Sequence, residues 1–297
     1  MANHARTARF DLVSLGETML RMSVPSGRRL DDLRALEVEI GGAESNVCVA
    51  LARLDRRVGW VSRLPDHALG AAVLRVLRAD GVDVTAVRRV PGERIGTYYI
   101  EYAAPPRAAQ VIYDRADSAA AHMALADVDW TYLLDTRILH LTGITAALSP
   151  SCYELVLAAV QRARAAGVSI SFDVNFRSKL WSAAEAGARL RPILAAADIL
   201  LCKSDDACAL FDCSGGPAEI MAGLQALSSA QAIYCTFGAM VRACWPMTRS
   251  IISRQCRCRL SIGSAAATHL PPECSTACST MIRCSGSGVA SHWPRSA

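Results

Sequence analysis

Gly41-Gly42-Ala43-Glu44-Ser45-Asn46, running on into Val47-Cys48-Val49-Ala50-Leu51-Ala52-Arg53-Leu54, is where an extended run turns into a helix. Arg34 to Ile40 alternates like a strand, and the two glycines end it. Val47, Ala50, Leu51 and Leu54 then recur at i, i+3, i+4 and i+7, which is one helical face. Paired glycines let backbone N–H groups approach a ligand with no Cβ in the way. A helix N-terminus presents unpaired N–H groups and partial positive charge. Asn46, in the first turn, offers a donor and an acceptor. The same residues also fit a plain strand–turn–helix joint.

Working outward, Phe10 to Leu15 is a short apolar run stopped by Gly16-Glu17, a buried strand. Val58 to Arg63 is another, and Ala68 to Ala79 an amphipathic helix closed by Asp80-Gly81. Val82 to Arg89 is extended. Arg94 to Tyr102 and Gln110 to Arg115 flank the turn Ala104-Pro105-Pro106-Arg107 and read as a hairpin. Its tyrosines, Tyr98, Tyr99, Tyr102 and Tyr113, fall on both faces, which fits a flap over a site. Strands and helices then alternate, the mark of a parallel sheet with crossover helices. The strands are Arg137–Leu141, Val168–Asp173, Ile199–Cys202 and Ala232–Thr236. The helices are Ser151–Ala166, Ala183–Ala196, Asp205–Phe211 and Ala218–Leu227. Ligands of such sheets sit at the carboxyl ends of the strands. Gly143, Asp173, Asn175, Arg177, Lys203, Thr236 and Gly238 all fall there.

The chain has 297 residues, enough for one large α/β domain or two small ones. No apolar run is long enough to span a bilayer, and Met1 to Arg9 lacks a secretory apolar segment, so a cytoplasmic enzyme is expected. The formal net charge of +5 belongs to the end of the chain. From Met240 onward there are seven arginines, no lysine and one acid, Glu273. No basic face for nucleic acid is patterned elsewhere. Six of the twelve cysteines also lie after Met240, with no C-x-x-C spacing, and no metal site is expected.

Asp173-Val174-Asn175-Phe176-Arg177 follows a buried strand, so its polar side chains emerge at the ligand edge. Arg177 there can clamp a carboxylate or phosphate, or pair structurally with Asp173. Tyr113-Asp114-Arg115 carries a second arginine on the flap. If the flap folds over the sheet edge, Arg115 and Arg177 converge, which suits an acidic substrate better than a neutral sugar.

At this point the chain resembles the ribokinase-like (PfkB) carbohydrate kinases, and among them the 2-keto-3-deoxygluconate kinases. The residues that carry this are Gly16-Glu17, Gly41 to Asn46, Gly96-Thr97-Tyr98-Tyr99 and Tyr113-Asp114-Arg115. They continue with Leu141 to Pro150, Asp173 to Arg177 and Leu180-Trp181, so the match runs in order over residues 10–239. The resemblance implies a Rossmann-like α/β/α sandwich with a small β-sheet lid from about residues 18–42 and 90–116. It implies phosphoryl transfer from ATP with Mg²⁺ to the 6-hydroxyl of a keto-deoxy sugar acid. Carried over residue by residue, Gly41, Gly42, Asn46, Tyr98, Tyr113, Arg115 and Arg177 would hold the sugar acid. Lys203, Asp206, Thr236 and Gly238 would serve the nucleotide. Lys203 and Asp206 depart from the family's polar–acidic pair near the Mg-phosphate region. The expected partners are small molecules only, not nucleic acid or membrane, and a homodimer or higher homo-oligomer fits the lid.

Residues 240–297 do not fit. Periodic strands and helices vanish after Ala239, and the family's Gly-Ala-Gly-Asp loop, whose Asp is the general base, is absent. No catalytic residue can therefore be assigned. A lost base near codons 239 and 240 accounts for both observations. Joining the third base of each codon to the next two turns Met240-Val241 into glycine. It lets Ser261–His269 encode Asp-Arg-Ile-Gly-Gly-Gly-Asp-Ala. The expectation is a sugar-acid kinase impaired in this chain. The alternatives are a non-catalytic sugar-acid binder or damaged product, and a kinase for a neutral sugar such as fructose or ribose.

Overall fold

A computed structural model describes residues 8–25, 27–102, 109–238, 240–245 and 249–252. In chain order the elements begin β1 (Phe10–Leu15), β2 (Met19–Ser23), β3 (Glu37–Gly41), α1 (Ala43–Ala52), β4 (Val58–Val61), β5 (Arg63–Pro65) and α2 (Ala68–Ala79). They continue β6 (Arg88–Val90), β7 (Thr97–Glu101), β8 (Gln110–Asp114), α3 (Trp130–Leu134), β9 (Thr136–Thr142), α4 (Gly143–Ala147) and α5 (Pro150–Ala165). The rest are β10 (Ser169–Asp173), α6 (Ala183–Ala196), β11 (Ile199–Lys203), α7 (Ser204–Phe211), α8 (Pro217–Leu227), β12 (Ala232–Phe237), β13 (Met240–Trp245) and β14 (Arg249–Ile252).

The main sheet runs β14-β13-β12-β11-β10-β9-β1-β4. From β12 to β4 every pairing is parallel. Helices cover both faces, which is why β9 is buried along nearly its whole length instead of alternating. Leu12, Trp60 and Ile138 pack with Cys48 and Leu51 of α1 and Val73, Leu74 and Leu77 of α2. Val13, Leu139, Phe172, Leu200 and Ile233 pack in a second core with α5, α6, α7 and α8. This is the expected α/β/α sandwich. The chain goes from β1 outward to β4, then returns to place β9 on the other side of β1. The strand order therefore reverses between β1 and β9, where open α/β sheets form a ligand crevice.

Helix α5 illustrates the local logic. Ser149 caps it by accepting from the Cys152 N–H at 3.1 Å, and Pro150 occupies its first turn, where the missing N–H costs nothing. Its buried residues Cys152, Leu155, Val156, Ala159, Val160 and Ala163 keep a helical spacing. Gly167, at φ 70°, turns the chain into β10. Burying each Leu or Val is worth about 1.5–3 kcal/mol, so Leu155→Ala is a core break.

A second sheet, β3-β2-β7-β8, lies in the segments expected to form the lid. The turn at Ala104 to Arg107 lies outside the described residues, but β7 and β8 pair antiparallel as a hairpin should. β2 is a strand that the pass along the sequence does not assign, because Met19–Ser23 is short and too weakly patterned to separate from the segment around it. Helix α1 also differs from expectation. It ends at Ala52, and its buried residues are Glu44, Ser45, Cys48 and Leu51. The buried face is thus rotated from the Val47–Ala50–Leu51–Leu54 stripe, and it includes an acid and a hydroxyl that apolar periodicity passes over.

The tail also needs correction. Strands do not end at Thr236: β13 pairs antiparallel with β12, and β14 with β13. Backbone ladders tolerate most side chains, so apolar texture there is a poor guide. Residues 253–297 lie outside the described residues. Among the described residues no helix is long and apolar enough to cross a membrane, and no three His, Cys, Asp or Glu side chains are grouped to hold a metal ion.

Candidate functional site

The crevice floor is polar. Ser14 of β1, Glu44 of α1 and Thr142 and Thr145 around the start of α4 are all buried. Glu44 Oε1 accepts from Thr142 Oγ1 at 2.7 Å and Thr145 Oγ1 at 2.5 Å, while Oε2 has no partner. Burial pushes this carboxyl above its usual range, against those two hydrogen bonds. A Cβ on Gly16 would collide with the Glu44 carboxyl, so that glycine is needed for close approach.

The paired glycines prove to make room for protein. A Cβ on Gly41 would strike the Tyr98 hydroxyl, and one on Gly42 the Glu17 carbonyl oxygen. Gly42 is extended at φ −157° and precedes α1 without needing a left-handed conformation. Both glycines are thus required by the surrounding protein, whatever their backbone N–H groups face. Asn46 is exposed on the first turn, with its N–H donating to the Gly42 carbonyl at 2.9 Å.

Strand register puts Arg21 opposite both Glu39 and Tyr98, and Tyr98 opposite Tyr113, so these four share one lid face. The Tyr98 and Tyr113 rings lie 5.7 Å apart. Burial pushes the Tyr98 hydroxyl up to about 12. This face meets the loop after β10: Lys179 Nζ lies 5.4 Å from the Tyr113 ring centroid and donates to the Val111 carbonyl at 3.0 Å. The hairpin therefore does fold over the strand ends.

The two arginines are not equivalent. Arg115 is nearly buried and donates to Glu17, just past β1. Its charge is already met by that carboxylate, unlike that of Arg177. Arg177 is half-buried and, among the described residues, makes no ion pair. The structural pairing with Asp173 does not form. Asp173 Oδ1 accepts instead from the Asn175 N–H at 3.2 Å. Asn175 has φ 39°, in the left-handed region that Asn tolerates better than most residues. Asp206 Oδ2 accepts from the Phe176 N–H at 3.2 Å and so ties this loop to α7.

Asp173 aligns with Thr142 across β10 and β9, and Lys203 with Thr236 across β11 and β12. Burial raises Asp173 to about 7, with the charges of Asp206 and Glu44 adding and Asn175 and Lys203 opposing. Asp206 is raised by burial against the Phe176 hydrogen bond, Lys203 and Arg177. Lys203 is exposed, and Gly238, also exposed, turns the chain at φ 60° with no described residue near the position of its missing Cβ. An exposed cation and a left-handed glycine at neighbouring strand ends fit an anionic phosphate chain.

Sequence reasoning missed Glu44 and Lys179 as side chains of the site and left Glu17 as a family marker. Each owes its place to tertiary contacts.

The profile of the pfkB family carbohydrate kinase matches residues 9–239. A 2-dehydro-3-deoxygalactonokinase of Haloferax volcanii is 40% identical over 205 residues, 69% of this chain and 64% of that protein. A 2-dehydro-3-deoxygluconokinase of Bacillus subtilis is 34% identical over 173 residues, 58% of this chain and 53% of that protein. The crystal structure of a 2-dehydro-3-deoxygluconokinase from Thermotoga maritima aligns with a TM-score of 0.76 at 30% identity, covering 80% of this chain and 77% of that one. The chain thus spans less than two thirds of the length of these two curated relatives.

Proposed function

The chain belongs to the PfkB family of carbohydrate kinases, and from that premise we propose that residues 1–239 are built to phosphorylate a 2-keto-3-deoxy sugar acid, such as 2-keto-3-deoxygluconate, at its 6-hydroxyl. The observation that carries the acid is Arg177, a half-buried cation at the carboxyl end of β10 that makes no ion pair among the described residues. One charge-assisted bond there is worth about 1.5–3 kcal/mol, which a neutral sugar would forgo. Tyr98, Tyr113 and Arg115 of the lid, with Asn46 and the Gly41-Gly42 turn, would surround the rest of the sugar.

Lys203, Thr236 and the backbone of Gly238 would hold the ATP phosphates. Asp206 would offer a carboxylate toward Mg²⁺, which usually keeps phosphate and water as its other ligands. When bound, Mg-ATP supplies the phosphoryl group and offsets its negative charge. The chain's own part is to orient the 6-hydroxyl and to exclude water beneath the lid.

In this reading residues 240–297 are an out-of-frame tail. Support comes from the family match ending at Ala239 and from the missing Gly-Ala-Gly-Asp sequence. Without the Asp base, about 10²–10⁴-fold in rate is lost, and losing the anion-binding N–H groups costs more. That absence favours a second reading, a sugar-acid binder without turnover. Reading the gene across codon 239 tests the tail, and an intact frame there removes the proposal.

The substrate assignment is tested by calorimetric titration of 2-keto-3-deoxygluconate into the full chain. Binding that Arg177→Ala weakens about ten- to hundredfold supports it. Equal binding of fructose or ribose, or an unchanged Arg177→Ala, refutes it. A homodimer through the outer lid face, where Val38 and Ile112 are exposed, is the assembly this reading expects, and light scattering in solution tests it.

A further inference from the structure

Glu17 is among the least exposed acids of the chain, at 2%. It stands just past the end of β1. Its Oε2 accepts from Arg115 Nη2, and its Oε1 accepts from Ser118 Oγ at 2.7 Å. Ser118 Oγ in turn accepts from the Ala121 N–H at 3.2 Å. On the other flank, a Cβ on Gly96 would come within 2.7 Å of Glu17 Oε1. One carboxylate therefore joins three segments: the end of β1, the chain entering β7, and the chain leaving β8.

Arg115 is the residue most affected. Its side chain is 11% exposed, and its Nε is buried without a partner. Its guanidinium also lies 5.9 Å from the Tyr113 ring centroid. A buried guanidinium keeps one orientation only while a partner holds it, since an unpaired buried charge turns toward water. Glu17 holds it at Nη2, and the buried Nε has no partner among the described residues.

We propose that Glu17 is a positioning residue for sugar-acid binding. It holds Arg115 and the lid base in the geometry that keeps the rest of the Arg115 guanidinium turned toward the ligand. The substrate itself would never touch Glu17. Removing the carboxylate charge frees Arg115 electrostatically, but a guanidinium that swings into solvent loses more as a ligand donor than it gains as a free cation. The inference rests on the functional reading above.

The test uses the full chain and 2-keto-3-deoxygluconate, with four proteins titrated calorimetrically: wild type, Glu17→Gln, Arg115→Ala and the double variant. Glu17→Gln is expected to weaken binding about ten- to hundredfold, the share of one charge-assisted hydrogen bond. In the Arg115→Ala background the same change should have little further effect, because Glu17 acts through Arg115. Glu17→Gln binding as tightly as wild type, or more tightly, overturns the inference. So does equal weakening in both backgrounds, which marks a merely structural role. A wild type that takes up no sugar acid while holding a cooperative melting transition removes the functional reading itself, a result distinct from either.

Discussion

Replacing Glu44 tests the floor of the crevice. Its carboxyl is fully buried and receives two hydroxyl hydrogen bonds, from Thr142 and Thr145, both themselves buried. Glu44→Ala removes the acceptor and leaves two buried O–H donors to find another. An unsatisfied buried donor costs about 1–3 kcal/mol, so the pair costs roughly 2–6 kcal/mol before any cavity term. That is a large part of the roughly 5–15 kcal/mol that holds a typical protein together. Glu44→Gln keeps the shape and an acceptor oxygen, and it resembles the protonated acid that burial favours. Its cost should stay below about 1 kcal/mol. Urea denaturation followed by circular dichroism at pH 6 reads both. The reasoning fails if Glu44→Ala loses under about 1 kcal/mol, or if Glu44→Gln loses as much as Glu44→Ala.

Three further outcomes follow from the same geometry. Gly42→Ala puts a Cβ on the Glu17 carbonyl, which is backbone and cannot step aside; about 1–3 kcal/mol of stability should be lost, and an unchanged urea midpoint contradicts this. Asp173 titrates at about 7 in the fold but near about 4 when unfolded. The folded state therefore holds the extra proton, and this contribution to stability is complete below about pH 4 and lost as pH rises through 7. Asp173→Asn should flatten the fall in urea midpoint between about pH 5 and 8, and an undiminished slope refutes the assignment. Lys179→Met removes the link from the β10 loop to the lid carbonyl of Val111. Sugar-acid affinity should fall several-fold with little change in melting temperature, since the residue is exposed; unchanged affinity argues that the lid closes without it.

The fold was legible where period and punctuation agree. Helix α2 runs from Ala68 to Ala79 as its apolar spacing and Asp80-Gly81 stop require. The parallel strands are short apolar runs because helices cover both faces. Helix α1 was legible as a helix but not in its burial, because Glu44 and Ser45 turn inward to meet Thr142, Thr145 and the Gly42 carbonyl. No periodicity of apolar residues can report a buried acid. The Arg115–Glu17 pair joins positions 98 residues apart, a separation at which local pattern carries no information. Strand-end logic did find the sheet edge: Asp173, Lys203 and Thr236 stand at the carboxyl ends of their strands, where open α/β sheets hold ligands.

The measurement closest to the central claim is ADP release with 2-keto-3-deoxygluconate, ATP and Mg²⁺, run on this 297-residue chain beside one with a single base restored at codon 239. The expected result is turnover by the restored chain and, in the present chain, a rate lower by at least about 10²-fold. Equal rates from the two chains, or a restored chain that phosphorylates no sugar acid, would contradict it.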